Sequence, residues 1–131
     1  MALPNGAGGY QLGDGNLNEA TLGVQAIPTA YTAGATLTVL DLEQYMIVYT
    51  SSSTGNLALP TAASVDAELS SAKVNSCFDI ALIATSTGVP TLTAGTGWTL
   101  VGSGAGVASK AVLFRAVKTG DAAYSLYRIA G

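Results

Sequence analysis

The chain has 131 residues, 49% of them hydrophobic and only 10% charged, with a formal net charge of −3 and no histidine. That length suits one domain, and the apolar content excludes the polar, highly charged composition of disorder. A negative balance without a basic run excludes the electrostatic footprint of a nucleic-acid binder, and no apolar stretch is long enough to form a membrane-spanning helix.

Residues 1–34 differ from the rest. Gly6, Gly8, Gly9, Gly13, Gly15 and Gly23 fall in this stretch, and neither a strand nor a helix period is sustained. Ordering such a segment costs too much backbone entropy for it to fold alone. Leu12, Leu17, Leu22 and Val24 nevertheless need burial. The expectation is an extended N-terminal arm over 1–34 that orders against a neighbouring surface, followed by a β-rich body over 35–131. No basic, then apolar, leader pattern opens the chain, which predicts a protein kept in the cytoplasm of the cell that makes it.

Thr and larger apolar groups alternate over 35–40 and predict a strand, followed by a loop over 41–44. The β-branched and aromatic run 45–50 predicts a second strand, SSSTGN at 51–56 a loop, and 57–59 a short strand ending at Pro60. Residues 61–73 are the one helix candidate. Thr61 is its N-cap, and Ala62, Val65, Leu69 and Ala72 share a face that packs on a sheet. The run CFDIALIAT at 77–85 predicts a central strand buried on both faces, with Cys77 a small buried hydrophobe.

Short strands are expected at 91–94 and 98–101, with Trp98 capping the core where its strand begins, and a turn at 102–106. Residues 109–118 and 123–129 predict a hairpin across Thr119, Gly120 and Asp121. Strand alternation sets Phe114 opposite to Arg115, and Tyr124 opposite to Tyr127. With Arg128, these are the candidate subunit contacts. About eight closely spaced strands predict a mainly β fold: an antiparallel β-sandwich or jelly-roll-like barrel with one short helix.

Five basic residues are few to guard exposed strand edges, so partners are expected to cover those edges in an obligate oligomer. The charges are also segregated. Residues 1–72 carry six acids and no base, whereas 73–131 carry five bases and two acids. Such asymmetry can steer the first part of one subunit onto the second part of another.

Chemistry is hard to build from this inventory. Without histidine the usual general base, the nucleophile dyads and triads and most zinc sites are lost. Cys77 has no motif partner. Asp66 and Glu68 sit two apart on a helix, where side chains do not face each other. Asp14, Asn16 and Asn18 follow the spacing of a calcium loop, but Glu19 stands where glycine is required and Gln25 where the bidentate glutamate is required. No enzyme, cofactor or metal site is expected.

The phrases GYQLGDGNLNE, LALPTAASVDAEL, CFDIALIAT, TAGTGWTLVGS and FRAVKTGDAAYSLYRIAG, which together sample residues 9–131, resemble the capsid decoration, or cement, proteins of tailed bacteriophages. The resemblance implies a β-rich body that forms a homotrimer on the capsid exterior. Its arm would staple neighbouring major capsid protein subunits, here through Tyr10, Gln11, Leu12, Asp14, Asn16, Leu17, Asn18 and Glu19. It implies a virion protein made in the host cytoplasm, with no active site to carry over. The alternative is a head-fibre or tail-fibre module that binds a glycan receptor through Trp98 and the tyrosines.

Overall fold

A computed structural model describes residues 22–131. The protein is mainly β. Among the described residues are strands β1 (Ala30–Tyr31), β2 (Ala35–Thr36), β3 (Met46–Tyr49), β4 (Gly55–Ala58), β5 (Cys77–Ala84), β6 (Pro90–Thr93), β7 (Trp98–Val101), β8 (Ala111–Gly120) and β9 (Ala123–Ala130). Two short helices, α1 (Val39–Glu43) and α2 (Ala62–Glu68), lie between strands.

The strands form two sheets, a six-stranded one in the order β1-β3-β5-β8-β9-β7 and a three-stranded one in the order β2-β4-β6. From β1 to β7 each successive strand enters the other sheet. Strands two apart in sequence therefore run in the same direction, and β1, β3 and β5 pair in parallel, as do β2, β4 and β6. The β8–β9 hairpin enters the larger sheet between β5 and β7. It pairs antiparallel internally and with β5, while β7 runs parallel to β9. The antiparallel expectation is thus corrected to mixed sheets. A hairpin reverses direction within one sheet, but a crossing to the other sheet and back does not.

One core lies between the sheets. Leu57 and Leu92 from the smaller sheet meet Ile47, Tyr49, Ile80, Leu82, Phe114 and Leu126 from the larger one, all at 1% exposure or less. Trp98 closes one end of it. Its ring lies 5.2 Å from that of Tyr124, and its Nε1 donates to the Pro60 carbonyl at 2.7 Å. The preceding Gly97 has φ +87°, and a Cβ there would meet the Ala122 carbonyl oxygen at 2.6 Å. Only glycine suits that turn, which aims Trp98 inward.

Several local expectations change. The strand read over 35–40 shrinks to Ala35–Thr36, because Thr38 starts α1 instead. Its hydroxyl accepts from the Asp41 N–H at 3.2 Å, and the Asp41 carboxylate accepts from the Thr38 N–H at 2.9 Å. This is a capping box, and the T-x-x-D spacing was its signal. Thr61 does cap α2, but the helix ends at Glu68 rather than Lys73, ahead of two serines that favour turns over helix interiors. The hairpin forms as expected, joined at Gly120 and Ala123. Ala30–Tyr31, which the sequence placed in the arm, occupy an edge of the six-stranded sheet.

The largest correction concerns β5. Its inner side chains Ile80, Leu82 and Ala84 are buried, whereas Asp79, Ala81 and Ile83 are only partly covered and Cys77 is exposed. The three-stranded sheet packs on one side of the larger sheet only. Replacing Leu82 with Ala should lower the unfolding free energy by about 2–5 kcal/mol, while Ala81→Ser on the other side should change it by about 0.5 kcal/mol or less. Urea titration of both variants, at a dilution that leaves single chains, checks this; equal losses would mean that both faces of β5 are buried within one chain.

Candidate interaction surface

The outer face of the six-stranded sheet follows from strand alternation and register. Val48, Ile83 and Ala111 lie side by side across β3, β5 and β8, and Met46, Ala81 and Leu113 form the next row. The row after that runs Asp79, Arg115, Tyr127 and Val101 across β5, β8, β9 and β7. Tyr127 and Val101 are exposed, as is Ile129 nearby on β9. The next row runs Cys77, Val117, Ser125 and Thr99. The surface is therefore largely apolar, broken by one central ion pair and by the hydroxyls of Ser125 and Thr99. Arg115 Nε donates to Asp79 Oδ1 at 2.7 Å and Nη2 to Oδ2 at 3.2 Å. This bidentate fork holds the Asp79 carboxyl below the usual carboxylate range.

The five candidate subunit contacts separate on this geometry. Arg115 and Tyr127 share the outer face as cross-strand neighbours. Phe114 and Tyr124 do not reach it. At 1% and 2% exposure they belong to the core, because the alternation that sends Arg115 and Tyr127 outward sends them inward. Arg128 spends its donors within the chain, on the carbonyls of Ser103, Ala105 and Gly131. Its guanidinium lies 6.0 Å from the Phe114 ring centre. It fastens the 103–105 loop and the last residue over one end of the core.

The arm contacts Tyr10, Gln11, Leu12, Asp14, Asn16, Leu17, Asn18 and Glu19 lie outside the described residues. The described end of the arm, residues 22–29, has no regular structure. Leu22, Val24 and Ile27 are 74%, 103% and 92% exposed. Gln25 Nε2 donates to the Gln44 carbonyl at 2.5 Å, and β1 follows. The junction is locked by the Tyr31 hydroxyl, which donates to the buried Asp41 carboxylate. Burial and this bond push the Tyr31 hydroxyl up to about 12. Burial alone would raise the Asp41 carboxyl, but the bonds from Tyr31 and Thr38 outweigh it and hold the group below its ordinary value. The sequence reading missed this pair because its members are ten residues apart and meet only when β1 joins the sheet.

A second, partly buried pair joins the two charge-segregated parts of one chain. Lys118, on the inner face of β8, donates to Asp66 of α2 and to the Ala72 carbonyl. Asp66 also accepts from the Ala122 N–H at 3.1 Å. At least this acid and base, which the sequence offered for steering between subunits, are spent inside the body. Between the ends of α1 and α2 and the start of β5 lies an open groove of about 420 Å³, walled by Glu43, Tyr45, Leu69, Cys77 and Phe78 with Tyr124 at its base. Trp98, the expected glycan contact, is buried. Among the described residues no three His, Cys, Asp or Glu side chains cluster as metal ligands.

No family model matches the chain, and neither a curated protein nor a solved structure matches it.

Because the Asp41 carboxyl is lowered in the folded state, its contribution to stability is complete above the unfolded value near pH 4 and fades as pH falls through the folded value. Tyr31→Phe should cost about 1–3 kcal/mol at pH 7, since it strips a donor from a buried carboxylate. The variant should also lose less stability than the parent between pH 6 and pH 3. Urea denaturation across that range reads both effects, and parallel pH profiles would remove Asp41 from the account.

Proposed function

We propose that this chain is a structural protein of a tailed-phage virion: a decoration, or cement, protein that binds the outside of the head as a homotrimer and staples neighbouring major capsid protein subunits with its N-terminal arm. The observation that carries the proposal is the end of that arm. Leu22, Val24 and Ile27 stand in solvent on a segment tied to the body by Gln25 and by the Tyr31–Asp41 lock. Apolar side chains left uncovered by their own body gain free energy when another surface covers them.

The division of labour is physical. The body supplies a rigid base, and the glycine-rich arm lets backbone approach backbone closely along a groove or sheet edge of the shell. Three arms per trimer make weak single contacts add up, and a ligand that binds only the assembled shell stabilises it by mass action. In this reading the six- and three-stranded sheets are the two layers of a β-sandwich, supported by their shared core. The protein acts on the capsid exterior after synthesis in the host cytoplasm, without a cofactor and without chemistry of its own. The burial of Trp98 leaves the glycan-binding alternative without its main contact.

Deleting residues 1–19 should leave the body folded, with circular dichroism and melting temperature close to those of the full chain. Co-sedimentation with expanded heads should weaken at least tenfold. A truncated body that binds heads as tightly as the full chain would refute the role given to the arm.

A further inference from the structure

We infer that the outer face of the six-stranded sheet is the surface through which copies of this chain bind one another. The inference rests on the proposed function only for the number of copies, and its test needs no capsid.

Apart from Asp79, β5 is apolar along both of its faces. A strand apolar on both faces is the mark of a strand buried on both faces. The inner residues Ile80, Leu82 and Ala84 are spent in the core, but Ala81 and Ile83 are only partly covered and no layer among the described residues packs over them. Their neighbours in register are Met46, Val48 and Leu113, equally apolar and only partly covered.

Strands of two to ten residues, at roughly 3.3 Å per residue and 4.8 Å between strands, give a face of roughly 570 Å². Part of that area belongs to the ion pair and to the hydroxyls of Thr99 and Ser125, so the apolar share falls within the range of the largest patch on a typical monomer. Two such faces together cover roughly 1,100 Å², enough for a specific contact between proteins.

Charge selects the partner. The ionised side chains that the strands place on this face are Asp79 and Arg115, and they neutralise each other at 2.7 Å. The surface therefore has no net charge with which to recognise a nucleic acid, an anionic membrane or a strongly charged protein. It fits an equally neutral, pleated, apolar surface, and a second copy of the same sheet has that character. Sheets stack face to face at about 10 Å with interdigitated side chains. Three faces turned toward a common axis would cover one another in the same way. The ion pair could be buried there at modest cost, because both partners keep their bidentate bonds, whereas an unpaired charge could not.

The full chain at micromolar concentration should show an oligomeric mass by light scattering, three times that of one chain under the proposed stoichiometry. Leu113→Glu and Ile83→Lys each place a charge on the face without touching the core, and each should bring the mass down to that of one chain with the circular dichroism spectrum unchanged. Cys77 gives an independent readout with the unaltered protein. It is the only thiol, it is exposed in the single copy, and it pairs with Val117 on this same face. Its rate of labelling should rise at least tenfold as the protein is diluted to single chains.

An oligomer that persists in both folded variants would put the contact elsewhere and overturn the inference. A monomeric parent chain with a freely reacting Cys77 would overturn it too. A monomer with a protected Cys77 would assign the face to the chain's own arm, again overturning it. In none of these cases is head binding by the arm affected, so the proposed function stands or falls on its own measurement.

Discussion

The structure depends on burying one face of the six-stranded sheet against a much smaller partner sheet. Because the chain passes from one sheet to the other after each strand up to β7, no long stretch of sequence can pack with itself. Tyr49, Leu57, Leu82 and Leu92 come from four strands and two sheets yet meet in one core. Folding either sheet therefore requires the other. The low charge of the chain is compatible with this arrangement, since the inner rows of the strands are apolar apart from Lys118 on β8 and Arg128 on β9.

That constraint also produces the surplus. Three short strands cover one side of the larger sheet and nothing in the described body covers the other. The outer rows remain largely apolar, interrupted by a neutralised ion pair and by the hydroxyls of Ser125 and Thr99. A monomer built for solution alone would carry polar groups at Ala81, Ile83 and Leu113, because solvated faces of sheets alternate with the core face in polarity. The exposed side chains of residues 22–27 show the same imbalance on the arm. Body and arm thus each carry apolar area that the described residues leave uncovered, on separate surfaces.

Buried polar groups fix how these surfaces are held. Tyr31 and Asp41 bind the root of the arm to α1, so the arm leaves from a rigid edge rather than a loose loop. Lys118 and Asp66 bind α2 to the hairpin that fills the middle of the larger sheet. Arg128 closes the far end over Phe114. Asp41, Lys118, Asp66 and Arg128 each make more than one bond, which offsets the desolvation cost of burying polar groups.

Local chemistry was legible in the sequence. The β-branched and aromatic run 45–50 located β3, the expected strands over 98–101, 109–118 and 123–129 matched β7, β8 and β9 within about two residues, the turn residues Thr119 to Asp121 located the hairpin, and Thr61 marked the start of α2. The opposed faces of Phe114 and Arg115, and of Tyr124 and Tyr127, followed from a period of two alone. Other features needed the tertiary structure. Whether β5 is covered on one side or two depends on whether a further layer packs on the second face of the larger sheet, and Cys77 shares that ambiguity. The direction of pairing depends on which sheet each strand enters, and no single strand encodes this. Tyr31 with Asp41 and Lys118 with Asp66 become pairs only when distant elements are brought together, so residue types and spacing along the chain could not reveal them. The sequence set the polarity of each surface, and the packing of the two sheets determined which of those surfaces was left without a partner.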